Sequence, residues 1–139
     1  MSVPEPQREH GKLEVCTKAR DLASYTIQIT SNEKIFLPQY QRALTDSINE
    51  TAINIHMLVW SANNIYVNSI EDWQDRKRLQ EQAIIKCTML LSLIDLAHKV
   101  FHLKLKRVKY WGEKAVNVKT LIRAWKESDG KRYRSRFGV

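Results

Sequence analysis

Apolar residues recur along this chain at intervals of three and four, and nowhere alternate for long with polar ones. That period belongs to helices with one buried face. It predicts helices over about 12–30, 38–67, 70–101 and 106–128. In the first, Leu13, Cys16, Leu22, Ala23 and Ile29 share a side. The stretch "TSNEKIFLPQYQ" breaks the pattern, and Pro38 suits the first turn of the helix that follows, where a missing N–H is no loss. "NSIED" precedes the third helix, with Ser69 and Asp72 at the spacing of a capping box. "HLKLK" leads to the fourth, and Gly130 is placed to stop it. Helices of ~20–30 residues joined by short loops describe an all-α, up-down-up-down antiparallel four-helix bundle. The expected layout is a flexible N-terminal arm at 1–11, the bundle at 12–128 and a basic C-terminal tail at 129–139.

Placed on a wheel at about 100° per residue, the second helix has one wide apolar stripe: Leu44, Ile48, Ala52, Ile55, Leu58, Val59, Ala62, Ile65 and Tyr66. Ile53, Met57, Trp60 and Val67 lie opposite. On the third helix Leu79, Ala83, Cys87, Leu90, Ile94, Ala97 and Phe101 face the core, while Ile85, Met89, Leu96 and Val100 stand to one side. A bundle needs one apolar stripe per helix, and here two helices carry a second. Large exposed apolar patches mark interaction surfaces, and Met and Trp are favoured there. Ile53, Met57, Trp60, Ile85, Met89 and Leu96 are therefore the candidate subunit interface of a homo-oligomer. The plainer alternative is that both helices lie deep in the bundle beneath the other two.

Charge changes the picture more than composition does. Residues 1–103 hold 11 Lys/Arg and 12 Asp/Glu, whereas residues 104–139 hold 12 and 3, so the whole excess of the +8 chain lies in its last quarter. Such asymmetry points to a polyanionic partner. The fourth helix buries Trp111, Ala115, Val118, Leu121, Ile122 and Trp125, and beside that stripe run Lys109, Lys119, Arg123 and Lys126. Lys131, Arg132, Arg134 and Arg136 continue the positive charge, with Tyr133 and Phe137 interleaved where they could stack on bases. A row of cations along one helix is a phosphate-binding footprint without sequence specificity.

Catalytic chemistry is poorly represented. The four glycines are isolated, so no phosphate loop is present, and neither GxSxG nor HExxH occurs. Asp95, His98 and His102 could share part of a face and hold a metal, although His98 flanking the core and His102 ending the helix is the simpler reading. No cofactor is implied, and an enzyme is not expected. Cys16 and Cys87 lie in helical patterns away from any CxxC, as reduced thiols packed in a core do, and counting alone leaves a disulfide between them open. No apolar run reaches the ~18 residues of a membrane span, and "MSVPEPQREHGK" lacks the apolar segment of a secretory signal. The expectation is a cytoplasmic protein that does not engage membrane.

Three stretches in order, "YTIQITSNEKIFLPQYQRALTDSINETAINI", "RKRLQEQAIIKCTMLLSLIDLAHKV" and "YWGEKAVNVKTLIRAW", carry a resemblance over about 13–126. They resemble the small four-helix-bundle family that includes the accessory variability determinant (Avd) of diversity-generating retroelements and the proteins encoded in intervening sequences of 23S rRNA genes. The resemblance implies an up-down bundle that assembles into a ring, a pentamer in Avd. It also implies a basic surface for nucleic acid and a partnership with a reverse transcriptase copying a template RNA during mutagenic retrohoming. It implies no catalytic residue. The loop Phe36-Leu37-Pro38-Gln39 departs from the family's usual Phe-Pro-Lys, and Arg123 and Ala124 precede Trp125 where Gly-Gly is usual.

The leading expectation is thus a non-enzymatic homo-oligomer that binds RNA or an RNA–DNA hybrid and serves a reverse transcriptase. The alternative is a protein–protein scaffold whose basic tail meets an acidic partner.

Overall fold

The computed structural model describes the backbone of residues 5–138 and the side chains of residues 14–138. Among the described residues there are four α-helices and no strand: α1 (Glu5–Thr30), α2 (Asp46–Asn63), α3 (Ile70–Phe101) and α4 (Leu105–Phe137). α1 packs against α2 and α4, and α3 packs against the same two, as adjacent helices of a bundle do. Between them lies one core built from Leu22, Ile48, Ile55, Val59, Leu90, Ile94, Trp111, Val118 and Ile122.

Local chemistry explains the element ends. Asn32 folds the chain after α1: its side chain accepts from Lys34 N and its carbonyl from Phe36 N at 2.8 Å. That turn drops Phe36 into the core against Phe101 and Trp111. The Trp111 indole in turn donates to Thr26 Oγ1 at 3.0 Å, tying α4 to α1. Pro38 opens a single 3-10 turn (Pro38–Tyr40), followed by a π turn (Gln41–Thr45), before α2 proper. Ser69 caps α3 by accepting from Asp72 N at 3.1 Å, and the Asp72 carboxylate accepts from Asn68 N. α3 ends at His102, in the left-handed region at φ 55°.

Three sequence expectations give way. α2 stops at Asn63 rather than running on to 67, and the helical phase is lost there. Tyr66, expected in the core, is 88% exposed, and Val67, expected outside, is 7% exposed. The arm expected over 1–11 is helix from Glu5, with Pro6 in the first turn, where its missing N–H is tolerated; residues 1–4 lie outside the described residues. The tail expected over 129–139 is helix as far as Phe137, and the terminating glycine is Gly138 at φ 70°, not Gly130. Tertiary packing overrides the weak helix propensity of Gly130. A second small cluster joins Val67, Trp73 and Tyr133, with Ile65 and Phe137 against it, and holds the last turns of α4 to the start of α3.

Candidate nucleic-acid interface

The extra turns of α4 are fixed by a buried ion pair. Arg76 Nε donates to Asp129 Oδ2 at 2.9 Å, with the side chains only 3% and 2% exposed. Gln80 Nε2 donates to the same oxygen at 2.9 Å, and the Arg76 guanidinium lies 5.1 Å from the Trp125 ring. Arg76 and Gln80 occupy positions of α3 that the apolar pattern had not assigned to the core. An ion pair is tolerated there because each charge finds several partners.

This packing sorts the expected phosphate-binding cations into two groups. Arg132 lies 3.8 Å from the other Asp129 oxygen, and Arg136 donates to the Val67 carbonyl at 2.9 Å. Lys126 pairs with Glu81 at 3.4 Å and Lys131 with Glu127 at 3.7 Å, both in partly or well solvated settings. Lys109, Arg123 and Arg134 are exposed, and Lys119 is half-buried. Among the described residues none of these last four makes an ion pair or a side-chain hydrogen bond. Tyr133, expected to stack on bases, is instead buried against Trp73 at 5.0 Å between ring centroids. Phe137 stacks on Tyr133.

Arg123, Lys126 and Arg134 meet on one side of α4, where they line a groove of about 570 Å³ between α3 and α4. Lys77 of α3 faces them across it, with Trp73, Ile84, Ile85 and Gly130 as its apolar and open parts. Lys77 was missed in the sequence. Its i+4 spacing to Glu81 shows only that the two share a face of α3; that this face lies beside α4 comes from the packing. Lys109 lies outside this groove, near the start of α4.

The second apolar stripe is exposed as expected. Ile53, Met57, Trp60, Ile85, Met89 and Leu96 are all surface residues, Trp60 at 52%. Met57, Ile85 and Met89 line a shallow groove of about 370 Å³ between α2 and α3 with Leu58 and Ser61. Ile85 borders both this groove and the basic one. Leu96 sits farther along α3, in an open depression with Asp95, His98 and His102. Among the described residues no group of three or more His, Cys, Asp or Glu is arranged to hold a metal ion. Val100, grouped with the second stripe by the wheel, packs instead against the core.

Cys87 lies fully inside the core, and burial pushes its thiol up to about 12, opposed by the nearby Lys119 charge. Cys16 packs half-buried at the same core's edge, and the two form no disulfide. No helix among the described residues is long and apolar enough to cross a membrane. Compared with family models, curated proteins and solved structures, the chain matches none.

Proposed function

We propose that this chain is a non-enzymatic, homo-oligomeric helical bundle that binds nucleic acid through the cationic side of α4. One observation carries the reading: Arg123 and Arg134, unpaired among the described residues, gather with Lys126 and Lys77 around a single groove. Uncompensated charge on one face attracts phosphates and repels its own kind, so a polyanion stabilises it. The proposed ligand is RNA or an RNA–DNA hybrid, and the proposed protein partner is a reverse transcriptase, both following from the Avd-like resemblance. On that resemblance the bundle belongs to the accessory class that helps copy a template RNA, as a ring; a cytoplasmic setting is proposed separately, from the cysteine pattern.

The up-down-up-down order is supported by contacts that join the end of one helix to the start of another. Thr30 bonds Asn49, Trp111 bonds Thr26, and Arg76 bonds Asp129. The homo-oligomer is supported by the exposed stripe through Ile53, Met57, Trp60, Ile85, Met89 and Leu96.

Purification at low and at high salt tests the reading. The protein is expected to carry nuclease-sensitive RNA, seen as a raised 260/280 absorbance ratio, at low salt and to shed it at high salt. Recovery free of nucleic acid at low salt, with an acidic protein bound in its place, would favour the scaffold reading instead.

A further inference from the structure

The cations of α4 could meet nucleic acid in two ways: as a ridge on which a duplex lies, or as one wall of a groove that admits a single strand. The structure distinguishes them. Lys77 stands on α3, across the groove from Arg123 and Arg134, so the positive charge comes from both walls. Lys77, Arg123 and Arg134 are exposed and make no ion pair or side-chain hydrogen bond among the described residues. Of the two carboxylates that border the groove, Glu81 pairs with Lys126 across it, from α3 to α4, and Glu127 pairs with Lys131 outside it.

Between Arg123 and Arg134 the helix rises about 16 Å at 1.5 Å per residue. Gly130 lies between them, and with no side chain it leaves the groove open down to the edge of Trp73, 3.9 Å from where a Cβ would stand. Packed helices are ~8–10 Å apart, so the trough between them is narrow. A flexible strand can lay its phosphates along such a trough. A duplex, rigid and convex, reaches only the rim. Trp73 borders the groove but is 5% exposed, with its ring packed on buried Tyr133, so neither offers an open face to bases. Affinity there comes from phosphates, and the apolar lining on the α3 wall is Trp73, Ile84 and Ile85.

Resting on the nucleic-acid reading above, we infer that the α3–α4 groove is a track for one nucleic-acid strand, clamped by Lys77 from α3 and by Arg123 and Arg134 from α4. A positively charged groove that follows the backbone is one of the two means by which sequence-tolerant proteins hold single strands, base stacking on aromatic rings being the other.

The test compares a labelled unstructured RNA with a hairpin duplex of equal charge, each titrated across a salt series. The full chain is expected to bind the single strand at least several-fold more tightly. Lys77→Gln/Arg123→Gln/Arg134→Gln should reduce the log K against log salt slope by about 2, at ~0.7 per phosphate for three contacts. Lys77→Gln alone should remove about a third of that change. A control with the same charge loss elsewhere, Lys34→Gln/Lys99→Gln/Lys106→Gln, should keep the wild-type slope. All of these side chains are exposed, and matching circular dichroism and melting curves would establish that each variant is folded. Equal or tighter binding of the duplex, or a wild-type slope in the groove variants, would overturn the track while leaving nucleic-acid binding in place. If the wild-type chain binds neither RNA, the broader reading falls and the track with it.

Discussion

Arg76 and Asp129 are 53 residues apart in sequence and 2.9 Å apart in the interior, and their bond helps hold the last turns of α4 against α3. Asp129 accepts from Arg76 and Gln80 through one oxygen, and Arg132 stands by the other. Removing one partner strands the other charge without water. Asp129→Ala is therefore expected to destabilise the fold by about 3–5 kcal/mol in denaturant unfolding. The double replacement Arg76→Met/Asp129→Leu should recover most of that loss, because an apolar pair of similar volume avoids the desolvation penalty. A single variant as stable as wild type would show that the pair holds nothing together. Deleting residues 129–139 is for the same reason no clean test of the terminal charge, since it also removes Asp129 and Tyr133 from buried positions.

Gly130 sits inside α4 in helical conformation, and an added Cβ would meet only Trp73 Cζ2 at 3.9 Å, an ordinary contact. Gly130→Ala is expected to stabilise the chain by about 0.5–1 kcal/mol, the usual gain of alanine over glycine in a helix interior. Thermal melting checks it; a lowered midpoint would mean that the last turns of α4 are not helical in solution.

These two sites show where sequence reasoning stopped. Periodicity placed α3 at its observed bounds, and the core stripe of α4 from Trp111 to Trp125 is buried as expected apart from half-buried Leu121. Both results follow because an unbroken 3.6-residue period is a local property. The end of α4 was not local. Gly130 carries a stop signal, and what overrides it is Asp129 and Tyr133 packing on Arg76 and Trp73, more than fifty residues upstream. Charged Arg76 and Asp129 also look like surface residues until their pairing is seen. Tyr66 and Val67 exchanged roles because the wheel assumes a continuous helix, and α2 ends before them. For the basic site, Arg123, Lys126 and Arg134 were legible as α4 cations, whereas Lys77 belongs to it only through the packing of α3 on α4.

Cys87 offers a check on the core itself. Its thiol ionises from about 9 when exposed and is held protonated up to about 12 in the fold. The unfolded chain thus binds fewer protons than the native one above about 9, so stability is present in full below that value and falls as pH rises through the window. The denaturant midpoint should drop between neutral and alkaline pH more steeply in wild type than in Cys87→Ala. Native Cys87 should also resist alkylation until the protein unfolds, since the thiolate is the nucleophile. Rapid native labelling of Cys87 would contradict its burial.

Trp60 is a half-exposed indole in the centre of the second stripe. A charge there is readily solvated in a single chain and desolvated in an interface. Trp60→Glu is expected to keep wild-type helix content while the assembly falls apart in sedimentation velocity. A variant that sediments like an oligomeric wild type would remove Trp60 from the interface, and a monomeric wild type would remove the interface altogether.

The most direct test of the central claim is the affinity of the full chain for a fluorescent RNA, read by anisotropy from low to high salt. Tight binding is expected at low salt, weakening steeply and linearly in log salt, because each neutralised phosphate releases counterions. Absence of binding at low salt would contradict it and would assign the positive charge of α4 to an acidic protein partner.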